Sequence, residues 1–184
     1  MTFAIDRDAA ISFTKASIHT PSVKKFLTVS YLSSRRGKPS WWTDKDWETA
    51  RKVNNEVLPT YYKAKIAADE VLTIFSKERN DQEAKNSVPV KQRFSGISLR
   101  PGTLTDEKAG GVKVGKIGVG GKTSRATVAE AIVAALETEG AKGWIDVIDG
   151  VEDVGTAIQR LANQGVDSVD EEDLETMKEN IASL

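Results

Sequence analysis

The chain has 184 residues and a mass of 20.0 kDa, enough for one full hydrophobic core. Hydrophobic residues make up 39% and charged residues 29%, an ordinary globular balance, and no uninterrupted apolar run is long enough to cross a bilayer. With 0 Cys and a single histidine, His19, the composition excludes disulfides, Cys nucleophiles, Cys-ligated zinc and multi-histidine metal sites.

The net charge of -1 is unevenly placed. Residues 166–184 carry seven carboxylates against Lys178 alone, so they are expected to form an acidic C-terminal helix or tail beside a domain at 1–165. The weakly basic remainder is diffuse and the isoelectric point is near 6.0, which argues against a nucleic-acid-binding surface. Met1–Asp8 lacks the basic start and apolar run of a secretory signal, so a cytoplasmic address is expected.

Asp6 or Asp8 is placed to cap a helix running to about Ile18, with Ala9, Phe13 and Ala16 on one face, and Pro21 marks its end. His19, near that end, reads as a structural residue at the negative pole of the helix dipole. The run Lys25–Leu32 is short, mostly apolar and rich in β-favouring residues, as in a buried strand, and Ser30 lies near its C-terminal end. Residues 33–48, with Arg35, Arg36, Lys38, Trp41, Trp42 and Trp47, hold neither a period of 2 nor one of 3.6 and read as a long ordered loop. A strong helical pattern over 61–76 places Tyr61, Lys65, Ala68, Leu72 and Phe75 within one arc. The polar residues 77–93 read as a surface excursion, and a strand Ser95–Arg100 ends in the turn pair Pro101-Gly102.

A glycine-rich stretch, 110–121, leads to a helix capped by Thr123 or Ser124, with Val128, Ile132, Ala135 and Leu136 on one face. Gly143–Gly150 reads as another strand. Val154, Ile158 and Leu161 mark a further helix stopped at Gly165, and Leu174, Met177 and Ile181 suit a short docked helix. Helices alternating with single buried strands predict an α/β architecture with a largely parallel sheet of three strands, open at both edges and able to self-associate there.

One constellation carries chemistry. Tyr61 and Lys65 stand four residues apart on a helix, so phenol and ammonium share a face, and the positive charge is expected to lower the phenol's pKa. A serine at the mouth of the preceding strand, Ser30, is placed to orient a carbonyl oxygen beside it, which suits general acid catalysis of hydride transfer to a ketone or aldehyde. The same Tyr-x-x-x-Lys spacing also arises from an interfacial tyrosine beside a snorkelling lysine, with no chemistry attached.

The ordered run Phe26–Ser30, Tyr61–Glu70 and Leu99–Glu107 resembles the atypical short-chain dehydrogenase/reductase family, in particular its NmrA-like and biliverdin-reductase-like members. Asp6–Ala10 and Thr123–Ala129 are similar to segments of that subgroup in the same order. The resemblance implies an NAD(P)-binding, Rossmann-like fold, with Ser30, Tyr61 and Lys65 at catalytic positions and Lys65 also reaching the nicotinamide ribose. It implies that Pro101 and Gly102 lie beside the nicotinamide, and that the loop bearing Trp41, Trp42 and Trp47 overhangs a small-molecule substrate.

Such proteins begin with a strand and a glycine-rich turn that holds the cofactor pyrophosphate. That segment is not found in these residues, so the chain is expected to be the C-terminal portion of a doubly wound fold, with weakened cofactor binding. Gly115–Thr123 does not restore it as a P-loop, because the required glycine position is occupied by Lys116. Two readings follow: an oxidoreductase acting on a small carbonyl compound, impaired by truncation, or a non-catalytic dinucleotide-binding, regulatory or interaction protein.

Overall fold

The computed structural model describes residues 1–184. Its regular elements are α1 (Ala10–His19), β1 (Lys25–Val29), α2 (Asp44–Lys52), α3 (Pro59–Lys85), β2 (Ser95–Pro101), β3 (Thr103–Thr105), β4 (Gly111–Val114), β5 (Lys122–Ser124), α4 (Arg125–Glu137), β6 (Gly143–Gly150), α5 (Val154–Gln164) and α6 (Leu174–Ala182). Wide helical turns over Phe3–Ala9 lead into α1, and similar turns join α2 to α3.

The main sheet has the order β1-β2-β6-β4, with the first three strands parallel and β4 antiparallel to β6. A second, two-stranded parallel sheet joins β3 to β5. The fold is thus α/β with a mostly parallel sheet flanked by helices, as expected, but with six strands where three were predicted. β4 also covers the edge of β6 that the three-strand pattern left open.

Alternation along β2 and β6 sorts the two faces. Ile97, Leu99, Ile145 and Val147 point to one face, where Val128, Ala131 and Ala135 of α4 and Ala157, Ile158 and Leu161 of α5 complete the main core. The other face carries Ser98, Arg100, Trp144 and Asp146, and α3 covers it with α6 packed alongside. Met177 of α6 is buried there against Ile66, Ile74 and Trp144, so the acidic C-terminal segment docks through an apolar stripe.

Two helices depart from the expected boundaries. Within the segment read as a loop, Thr43 and Asp46 form a reciprocal capping box that starts α2. α3 continues through the polar residues 77–85, held by the i,i+4 pairs Lys77–Asp81 and Arg79–Glu83. Arg79 also donates to the carbonyls of Ser17, Ile18 and Val23, which satisfies the end of α1.

Gly143 opens β6 at φ +73°, and a Cβ there would lie 1.9 Å from Oδ2 of Asp167. The same carboxylate accepts the amides of Trp144 and Val169 through Oδ1, at 2.8 and 2.9 Å. Gly143→Ala therefore meets both a left-handed backbone and a displaced hydrogen-bond acceptor. It is expected to cost about 2–3 kcal/mol, read as a lowered urea midpoint at unchanged slope.

Burial pushes the Asp167 carboxyl above its ordinary value. Between the ordinary and the raised pKa the folded chain holds a proton that the unfolded chain releases, so this group's contribution is fullest below the ordinary carboxylate range and declines as pH rises through the window. Asp167→Asn keeps the Oδ1 acceptor and removes the charge. Thermal melts at pH 3 and pH 7 should show the variant gaining on the parent at the higher pH.

Candidate active site at the end of strand β1

Tyr61, Lys65 and Asp69 follow one another at helical spacing along α3 on the side that meets the C-terminal end of β1. The Lys65 ammonium is buried and donates to the carbonyl of Val29, the last residue of β1. Ser30 follows directly, and its hydroxyl donates to Oδ2 of Asp69 at 2.6 Å. The Tyr61 ring lies tilted against Tyr31, with centroids 5.2 Å apart, and the Lys65 ammonium sits 5.9 Å from its centroid. The structure thus brings Ser30, Tyr61 and Lys65 to one rim.

Their electrostatics differ from the expectation. The Tyr61 phenol is pushed up to about 12, first by burial and then by the carboxylates of Asp6 and Asp69. The ammonium one turn away lies over the ring, and burial together with the two carboxylates sets the direction, so the predicted lowering is corrected to a rise. Tyr31 is held by Asn54, to whose side-chain oxygen it donates at 2.7 Å, and its phenol is likewise raised by burial.

Behind this rim lies a buried charge network that sequence reasoning missed. Asp69 accepts hydroxyl protons from Ser30, Ser34 at 2.8 Å and Ser98 at 2.8 Å, and a guanidinium N–H from Arg100 at 3.4 Å. Arg100 donates through Nε to Asp146 at 2.8 Å and through Nη2 to the carbonyls of Leu32 and Ser34. The register that sets Arg100 beside Asp146 on neighbouring strands makes this pair, and the indole of Trp144 lies 3.9 Å from the guanidinium carbon. A second buried arginine, Arg35, donates to Glu172 at 3.0 Å, which ties the C-terminal segment to the loop after Ser30.

The remaining predicted residues have other surroundings. Pro101 is buried, and its carbonyl accepts the amide of Leu32. The Gly102 N–H is shared between the carbonyl of Val147 and the hydroxyl of Thr123, and a Cβ there would lie 2.6 Å from the Gly121 carbonyl. Trp42 is buried with Leu32, Ala50 and Ile117, and its indole N–H donates to the Ile117 carbonyl at 2.7 Å; Trp41 and Trp47 pack against this small core. No helix is long and apolar enough to cross a membrane.

A mostly parallel sheet with helices on both faces is a framework that binds dinucleotides at the C-terminal ends of its strands. The family model described as NAD(P)H-binding matches residues 4–139, more than half of the chain, and the chain belongs to that family. Two solved structures are similar. One is the oxidoreductase ylbE from Lactococcus lactis, with 21% identity and a TM-score of 0.62 over 88% of this chain. The other is a provisionally assigned NAD-dependent epimerase/dehydratase from Bacillus halodurans, with 19% identity and a TM-score of 0.61 over 87% of this chain. At these identities the likeness is one of fold, and this chain spans 62% of the length of each. No curated protein matches the chain.

Proposed function

We propose that the chain takes part in NAD(P)H-dependent reduction of a small carbonyl compound, with Tyr61 as the proton donor. The observation that carries this reading is the half-buried Tyr61 phenol, set beside the Lys65 ammonium at the end of a parallel strand. No protein group takes up its hydroxyl, and at a pKa of about 12 it keeps its proton throughout the neutral range.

The rim suits the nicotinamide end of a dinucleotide in part. Lys65 gives one of its three N–H donors to Val29 and retains two for ribose hydroxyls. Gly102 does not suit it, because its N–H already has two acceptors and the Gly121 carbonyl fills the space beside it. NAD(P)H, when bound, supplies the hydride. Tyr61 then hands its proton to the carbonyl oxygen. Ser30 does not donate to the carbonyl oxygen, since its own proton is committed to Asp69, and its part is to hold the strand end in place.

That commitment favours a second reading, in which the same rim senses a dinucleotide without turning it over. NADPH fluorescence titration, followed by NADPH oxidation in the presence of small aldehydes and ketones, separates the two. Carbonyl-dependent oxidation is the expected result; binding with no oxidation by any carbonyl tested would leave the sensing role.

A further inference from the structure

The main sheet begins at β1, whose outer edge has no neighbouring strand. The Ser30 amide donates to the Leu99 carbonyl and the Ser95 amide to the Lys24 carbonyl, each at 2.8 Å, so Lys24, Phe26, Thr28 and Ser30 turn their main-chain groups toward β2. Lys25, Leu27 and Val29 turn theirs outward. Of these outward groups only the Val29 carbonyl is taken, by the Lys65 ammonium. Open edges are usually blunted by a projecting charge or a proline. Here β1 has no proline, and its one charged residue, Lys25, sends its ammonium back to the carbonyls of Leu136 and Thr138 at the end of α4.

The lane beside this edge has apolar walls. α3 packs on β2, and α1 packs on α3 and β1. Helices pack about 8–10 Å apart, close to two strand spacings of about 4.8 Å, so α1 stands over the position next to β1. Lys15 and His19 border the outer groove between α1 and α3, and helical geometry puts Phe13 on the opposite side of α1, toward the lane. Phe13 is 66% exposed, and Ala9 and Ala16 share its side. On the other face of the sheet, Ala134 of α4 faces α5, which turns Leu136 the other way, toward β1, where it is 41% exposed.

We propose that this lane is a β-augmentation site for an extended segment of a separate polypeptide, uncharged and apolar on both faces, which pairs with the five residues of β1 and lies between α1 and α4. A single strand fits there, whereas the β1 of a second copy would bring its own α1 into the space that α1 already holds. The site lies on the sheet edge and stands whether or not Tyr61 is a proton donor.

Fluorescence anisotropy of the full chain with a labelled peptide, Ser-Gly-Thr-Val-Ile-Val-Thr-Gly-Ser, tests it. The peptide should bind at one site per chain, and a version with glutamate in place of both valines at least tenfold more weakly. Two N-methylated versions read the pairing itself, one methylated at both valines and the other at isoleucine and both threonines. Alternate residues of a strand face its neighbour, so one version should bind like the parent peptide and the other at least tenfold more weakly. The amides of Lys25, Leu27 and Val29 should exchange freely in the free chain and become protected by the peptide, while those of Phe26 and Thr28 are protected throughout. Phe13→Glu, a change at an exposed position, should weaken binding at least tenfold at an unchanged melting temperature. Absence of peptide binding overturns the proposal, as does equal binding of the two N-methylated versions. A chain that is dimeric by sedimentation, with Lys25, Leu27 and Val29 already protected, would put a second copy in the lane and overturn it too.

Discussion

Tyr61→Phe should lower carbonyl-dependent NADPH oxidation by about 10²–10⁴-fold in kcat/KM, the usual contribution of a positioned general acid. The substitution removes one oxygen that makes no hydrogen bond to the protein, and it leaves the ring packed against Tyr31, so stability should change little. Binding of NADPH should be retained, because the Lys65 ammonium is held by Val29 and not by the phenol. The pH profile adds a second test. A phenol with a pKa of about 12 is protonated at every pH from 6 to 9, so Tyr61 imposes no titration on kcat/KM in that range. A phenol lowered by Lys65 would instead make the reduction fall with a slope of one as pH rose through its pKa. Retained turnover in Tyr61→Phe, or such a fall near neutral pH, would remove Tyr61 from the donor role.

The contrast between the expected and the observed Tyr61 shows where a sequence stops being informative. Spacing of four residues put the ammonium and the phenol on one face, and the structure keeps them there. What spacing does not carry is the depth of the ring and the arrival of Asp6 from the N-terminal helix, which together decide the direction of the shift. The same division holds for the fold. Gly143–Gly150 and the Gly165 stop, at φ +62°, were legible because an apolar run or a helical stripe met a strong local terminator. β3 and β5 are three residues long, and β4 alternates over only four, so none of them fills a window long enough to show a period.

The buried network was missed for a different reason. Arg100 and Asp146 each interrupt an apolar strand, and a lone charge inside such a run is a signal that a partner exists. The partner itself is fixed by the register between β2 and β6, which belongs to the assembled sheet. Asp69 and Glu172 come from a helix and from the C-terminal segment, and nothing local ties them to Arg100 and Arg35.

Asp146→Asn is therefore expected to cost about 3–5 kcal/mol, the loss found when one member of a buried ion pair is removed. Asparagine preserves the volume, so no cavity contributes, and the change reads the charge alone. Arg100 and Arg35 are both buried, at 2.8 and 4.0 Å from the two oxygens of Asp146, and with that carboxylate gone only Asp69 and Glu172 face them. Against a typical stability of about 5–15 kcal/mol this is a large fraction, visible as a lowered urea midpoint. The loss should also be uneven. Arg100 holds the carbonyls of Leu32 and Ser34, so once its own position is relaxed, amide exchange over residues 31–35 should rise more than exchange in β4. Replacing the pair together, as Arg100→Met with Asp146→Leu, removes one charge of each sign but leaves buried Asp69 without its arginine and the Leu32 and Ser34 carbonyls without a donor, so it should recover little of the stability and should not restore protection of residues 31–35. A loss below about 1 kcal/mol in Asp146→Asn would mean that the network does not hold the end of β1, and the rim at Ser30 would need another support.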